Sequence, residues 1–149
     1  MQVQYTDRMA AAVRSASELA AAQRSPELFT IHLLTVLSAQ DDSTFSALLV
    51  ANDVDLAAFH EFAANRSRQM IPPVSRVSAQ DIRPSQEHAG LLEGAATEMA
   101  AIGDSRLGTE HVLLAALKYR PGKGAWATFG LSYAPVRKSL DALRKNTAV

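Results

Sequence analysis

Apolar residues recur along this chain at helical spacing, and no stretch alternates long enough to make a strand, so every predicted element is a helix. Met9, Val13, Ala16 and Ala20 fall on one helical face, predicting a helix from about Thr6 to Arg24 with Thr6 as its N-cap. A second helix is expected to start at Thr30, again as N-cap, ahead of Leu33, Leu34 and Leu37. A third spans about Ser43 to Ala51, with Phe45, Leu48 and Leu49 inward, and a fourth about Leu56 to Ala64, with Phe59 and Phe62. After a break the pattern returns. A helix opens near Ser85 with Leu91, Ala95, Met99 and Ile102 on one face. Another opens at Thr109 before Val112, Leu113 and Leu117. A short one covers about Lys123 to Phe129 and carries Trp126, and a last one runs from Pro135 to Arg144. Pro135 suits a first helical turn, where its missing N–H costs nothing.

The two series are copies. Sliding the chain by 79 positions lays Leu28, Thr30, His32 and Leu34 on Leu107, Thr109, His111 and Leu113, and Thr6 on Ser85. Matched alanines say little in an alanine-rich chain; the phrase Leu-x-Thr-x-His-x-Leu says more. The expected architecture is all-α: two tandem four-helix repeats, residues 5–64 and 85–144, related by a pseudo-twofold axis and packed as one domain over 1–149. Residues 65–84, with Pro72-Pro73, Pro84 and four arginines, read as the linker between them. The copies differ where charge matters: Glu110 in the second phrase stands where the first has Ile31.

Composition narrows the function. The 149 residues are 48% hydrophobic, enough for a packed core, and 15 Lys and Arg balance 15 Asp and Glu. No bulk field favours nucleic acid or an anionic membrane. The absence of cysteine excludes disulfides, thiolate metal sites and a cysteine nucleophile. No apolar run reaches the ~18 to 20 residues of a membrane span, and the N-terminus lacks a signal-like apolar core. A cytoplasmic monomer without metal or cofactor is expected.

The paired phrases, together with Tyr5-Thr6-Asp7-Arg8-Met9 and Gly108-Thr109-Glu110-His111, resemble the N-terminal domain of the Clp (Hsp100) unfoldases, over nearly the whole chain from Thr6 to about Leu143. The resemblance implies a non-catalytic module that binds client or adaptor proteins ahead of ATPase rings. No phosphate-binding loop occurs in this chain. Gly122-Lys123-Gly124 lacks the spacing and the hydroxyl, which leaves a standalone or an excised domain. In one branch of the family the domain resembles a reader of phosphorylated arginine. Such a ligand needs an anion site, for which helix N-termini and hydroxyls serve, and a carboxylate that forks onto a guanidinium. On that resemblance the ligand residues are Ser85, Thr109 and Glu110 in the second half. In the first half Thr6 remains, but Ile31 cannot pair with a guanidinium.

Each of these residues also has a purely structural reading. Ser85 and Thr6 serve as caps, and Glu110 as an acid stabilising a helix start by ~0.3 to 1 kcal/mol. His32 and His111, at matched places beside apolar runs, read as structural. Trp126 and Phe129 read as core or as a partner contact, and the Asp41-Asp42 pair as a solvated turn. His60-Glu61 lacks the second histidine of a zinc-protease helix, and no strained nucleophile turn occurs. Two alternatives keep the fold: an accessory subunit docking on a Clp complex, and a decoy sequestering a small molecule or cyclic peptide aimed at the unfoldase.

Overall fold

The computed structural model describes residues 3–70, 78–119 and 125–147. Within them the chain is all-α. The first half holds α1 (Asp7–Ala22), α2 (Thr30–Ala39), α3 (Thr44–Ala51) and α4 (Leu56–Met70). The second holds α5 (Gln86–Ile102), α6 (Thr109–Tyr119), the single turn α7 (Ala125–Thr128) and α8 (Tyr133–Thr147). Pro72-Pro73, Lys123 and the Gly122-Lys123-Gly124 run lie outside the described residues. No described helix is long and apolar enough to cross a membrane.

Local chemistry sets the helix starts, and the two halves repeat it. Thr6 and Ser85 cap α1 and α5 with nearly the same extended backbone, and their hydroxyls accept from the N–H of Met9 and of His88. The starts of α2 and α6 work differently from the expectation. Thr30 and Thr109 are the first helical residues, not the caps. The free N–H groups of Phe29 and Gly108 are taken up by the ring Nδ1 of His32 and His111, at 3.0 and 2.8 Å. Histidine thus fills the role that glutamate or glutamine plays at the third position of a capping box. The expected structural role of both histidines holds. The helix ends repeat too. Ser25 N–H reaches back to Ala20 O and Asp104 N–H to Met99 O, around a left-handed residue that is Arg24 in one half and Gly103 in the other.

The halves are stitched crosswise. Tyr5 forms an isolated parallel bridge with Leu107, and Pro84 forms the matching bridge with Leu28. Thr6 N–H donates to Leu107 O at 3.0 Å and Ser85 N–H to Leu28 O at 2.9 Å. Each helix start of one half therefore pairs with a helix start of the other, which is the local signature of the pseudo-twofold axis. Between the halves α3 packs on α6 and α8, α2 on α5, and α4 on α7.

The buried side chains form one cluster spanning both halves. Its aromatic part is not symmetric: the Phe59 ring lies 5.8 Å from Trp126, 6.1 Å from Phe45 and 5.2 Å from Phe129. Trp126 is buried and Phe129 partly so, as a core reading requires. On α1 the inward face is Met9, Ala12, Ala16 and Ala20, with Val13 at its edge. Helix α4 overruns its expected end and takes in 65–70, which the sequence assigned to the linker. The reason is a continuing buried face: Phe59, Ala63 and Ser67 are four residues apart, and Ser67 accepts from the Gln23 amide at the end of α1.

Candidate functional site

The crosswise stitching regroups the residues singled out in the sequence. Helix α6 runs back along α5 after a short connection. Ser85, at the start of α5, is therefore a helix length from Glu110, roughly 25 Å for a helix of this size. The expected pairing of Ser85 with Glu110 inside one half does not occur. Thr6 instead stands beside the strand-like Leu107 that leads into α6 and Glu110, while Ser85 stands beside Leu28, which leads into α2 and Ile31. Thr109 is buried, and its hydroxyl accepts from the Phe45 N–H at the start of α3, 3.1 Å away. It serves as a brace between halves. The hydroxyls of Thr6 and Ser85 are both engaged as caps.

Glu110 belongs to a charged cluster that the sequence reading did not assemble. The Arg144 guanidinium, from α8, donates Nη1 to Asp104 Oδ1 at 3.1 Å and Nη2 to Asp104 Oδ2 at 2.7 Å; Nη2 also lies 3.5 Å from Glu110 Oε2. On the other side His111 Nε2 meets Asp104 Oδ2 at 2.7 Å. Because His111 Nδ1 accepts from Gly108, Nε2 carries the proton and donates to the carboxylate. Burial by itself would raise the Asp104 carboxyl. Hydrogen bonds from Arg144 and His111 outweigh it and hold the group below the usual carboxylate range. The Arg144 guanidinium is raised, first by its hydrogen bond to Asp104. Gly108 makes room for the acid: a Cβ there would sit 1.9 Å from Glu110 Oε1.

None of this exists at the counterpart positions in the first half. The counterparts of Asp104, Gly108 and Glu110, 79 positions earlier, are Ser25, Phe29 and Ile31; α8 follows α4 by 77 positions, as the left-handed Asp53 and Gly130 mark, so the counterpart of Arg144 is Ser67. His32 keeps the Nδ1 contact, but its Nε2 has no hydrogen-bond partner among the described residues. Near it lies a second buried imidazole, His88, whose Nδ1 is 3.4 Å from the Thr30 hydroxyl. Burial pushes His32 down to about 4. Burial, and then the charge of His32, push His88 down to about 4. Both rings are neutral at pH 7.

A second polar cluster joins α5, α6 and α8. The buried Glu98 accepts from the Tyr133 hydroxyl at 3.0 Å and lies 3.4 Å from Lys118 Nζ. Burial raises the Tyr133 hydroxyl, so it is a weaker acid than a free tyrosine. Among the described residues no group of three or more His, Asp and Glu is placed to hold a metal.

Sequence reasoning missed Asp104, Arg144 and His88. For Asp104 a signal was present: two coupled exchanges, Phe29 to Gly108 and Ile31 to Glu110, mark one start as the one making space for a charge. Arg144 comes from the far helix and only the fold brings it in.

Comparison with known proteins gives a consistent answer. The profile of the Clp repeat (R) N-terminal domain family matches residues 4–126. The chaperone protein ClpB 1 of Parasynechococcus marenigrum is 30% identical over 148 residues, covering 98% of this chain and 17% of that protein. The chain spans less than half the length of the curated relatives it matches. The Hsp104 N-terminal domain of Candida albicans superposes with a TM-score of 0.79 at 23% identity, covering 95% of this chain and 91% of that one. A ClpV N-domain in complex with a VipB peptide superposes with a TM-score of 0.67 at 19% identity, covering 77% and 68%. At these identities the two structures establish the shared fold.

Proposed function

The chain belongs to the Clp repeat (R) N-terminal domain family, and on that premise we propose that it is a non-catalytic docking module for the polypeptides or adaptors of a Clp system. The observation carrying this reading is the shared fold with a ClpV N-domain that holds a VipB peptide. The chain's own chemistry agrees with it. Its ionisable clusters serve as internal braces: Asp104 is held by His111 and Arg144, and Glu98 accepts from Tyr133 and pairs with Lys118. The Tyr133 hydroxyl does sit against the Glu98 carboxylate, but burial raises it and so disfavours its use as a nucleophile.

The test is fluorescence anisotropy of labelled, chemically unfolded casein titrated with the protein. Saturable binding without cleavage or modification of the casein supports docking. Absence of binding to casein and to a full-length Clp unfoldase overturns it.

A narrower reading adds a mark on the client, phosphoarginine. It is supported by the pairing of the Thr6 cap with the start of α6, which joins a helix N-terminus and a hydroxyl to the carboxylate of Glu110, and by the guanidinium already held by Asp104 and Glu110. The site has one copy, because Ile31 replaces the acid beside Ser85. Arginine-phosphorylated casein is expected to bind more tightly than unmodified casein, and Glu110→Ala to remove the difference. Equal affinity for both caseins refutes the mark while leaving docking intact.

A further inference from the structure

We propose that Arg144 is an internal competitor: the chain keeps the Asp104–Glu110 carboxylate pair filled with its own guanidinium, and a partner's arginine enters only by displacing it. This rests on the phosphoarginine reading above and adds how that site is regulated.

The cluster is built to hold a guanidinium, and it holds one. Arg144 forks onto both oxygens of Asp104 at 3.1 and 2.7 Å, the geometry that separates arginine from lysine as a carboxylate ligand, and reaches Glu110 at 3.5 Å. Asp104 does not depend on Arg144 alone for its position. Asp104 is fixed by His111 Nε2, and His111 by the Gly108 N–H. Glu110 lies over Gly108, where no Cβ intrudes on its carboxylate. Arg144 is also the outermost member: its side chain is 38% exposed, against 25% for Asp104 and 14% for Glu110. It is carried by the end of α8, so it can swing out without opening the core. Loss of Arg144 would leave two carboxylates facing each other, a state that an incoming guanidinium relieves. In the first half the acids are absent (Ser25 and Ile31), and so is the cation, Ser67 standing in its place on α4.

Partly exposed ion pairs are weak, so displacement by a ligand is feasible, yet a tethered group competes at an effective concentration near the millimolar range. Removing it should tighten external guanidinium binding about tenfold.

The experiment compares the wild type with Arg144→Gln, and with Arg144→Ser, which copies the first half. Free phosphoarginine and N-acetyl-arginine amide are titrated by calorimetry, with N-acetyl-lysine amide as control and a thermal melt of each variant to establish folding. The arginine guanidinium Nη–H signals of the wild type are followed by NMR at low temperature during the titration. Competition predicts about tenfold tighter binding of both arginine probes to the variants and no gain for lysine. It also predicts slowly exchanging Arg144 Nη–H signals in the free wild type that lose protection as ligand is added. Variants that bind the probes no better than the wild type, or more weakly, overturn the competition while the wild type's preference for phosphorylated casein keeps the site reading alive. Failure of every arginine probe against all three proteins removes both the subsite and its competitor.

Discussion

Acidification from pH 7 to 5 should remove about 4 kcal/mol of folding stability through two imidazoles, His32 and His88. Both are fully buried, at 0% and 1% exposure, and both are held neutral, with folded-state values of about 4 against 6.5 when exposed. Their folded values are depressed, so the unfolded chain binds protons first. The stability they permit is complete above pH 6.5 and drains away as the pH falls towards 4. At pH 5 an exposed imidazole is almost fully protonated and a buried one of this kind about one-tenth protonated, which costs about 2 kcal/mol for each ring. No charged group other than the neighbouring ring contributes to holding either value down. Asp104 acts in the same direction but in a lower window, since its depressed carboxyl loses its contribution only as the pH falls through the ordinary carboxylate range and below it. It leaves the interval from pH 7 to 5 to the histidines. The assay is urea unfolding at 25 °C at pH 7, 6 and 5, for the wild type, His32→Gln and His32→Gln/His88→Met. Glutamine keeps an acceptor for the Phe29 N–H, and methionine is the residue found at the counterpart position, Met9. The single variant should lose about half as much stability on acidification and the double variant almost none of it. An undiminished loss in the double variant, or imidazole titration by NMR above pH 6 for both rings, would refute the reasoning.

Three further outcomes test the packing and the turns. Phe59→Ala, which empties the centre of the ring cluster shared by α3, α4 and α7, should cost about 3 to 5 kcal/mol by denaturant unfolding. Arg24→Gly should stabilise by about 1 kcal/mol, because Arg24 sits at φ 53 where its counterpart is Gly103; a Tm that falls would contradict the strain assigned to Arg24. Gly108→Ala should cost about 1 kcal/mol or more in the wild type, by pushing the Glu110 carboxylate off Arg144, and much less in a Glu110→Ile background; equal costs in the two backgrounds would show that Gly108 is not there to seat the acid.

The helices were legible because their signals are local. Thr6 and Ser85 announce caps, and the leucine runs after Thr30 and Thr109 announce buried faces. The extension of α4 was hidden because its buried residues, Ala63 and Ser67, are small and partly polar, and because Arg66 and Arg68 on the outer face mimic a linker. The role of Thr30 and Thr109 was misjudged for a different reason. Threonine before an apolar run is the usual cap, and here a histidine three residues past the cap position replaces the side-chain acceptor. The site was the least legible part. A fixed spacing between Ser85 and Glu110 suggested a pair within one half, but pairing is decided by the bridges Tyr5–Leu107 and Pro84–Leu28, which connect opposite halves. Arg144 and Asp104 are 40 positions apart and meet only because α8 folds back on the α5–α6 turn.

The most direct measurement is a map of backbone amide shifts as arginine-phosphorylated, unfolded casein peptide is added to the labelled protein. Binding at the acid-bearing seam predicts saturable shifts centred on Thr6, Leu107, Gly108 and Glu110, with the seam of Ser85, Leu28 and Ile31 unmoved. Shifts centred on the Ser85 seam, or none at either seam, would contradict it.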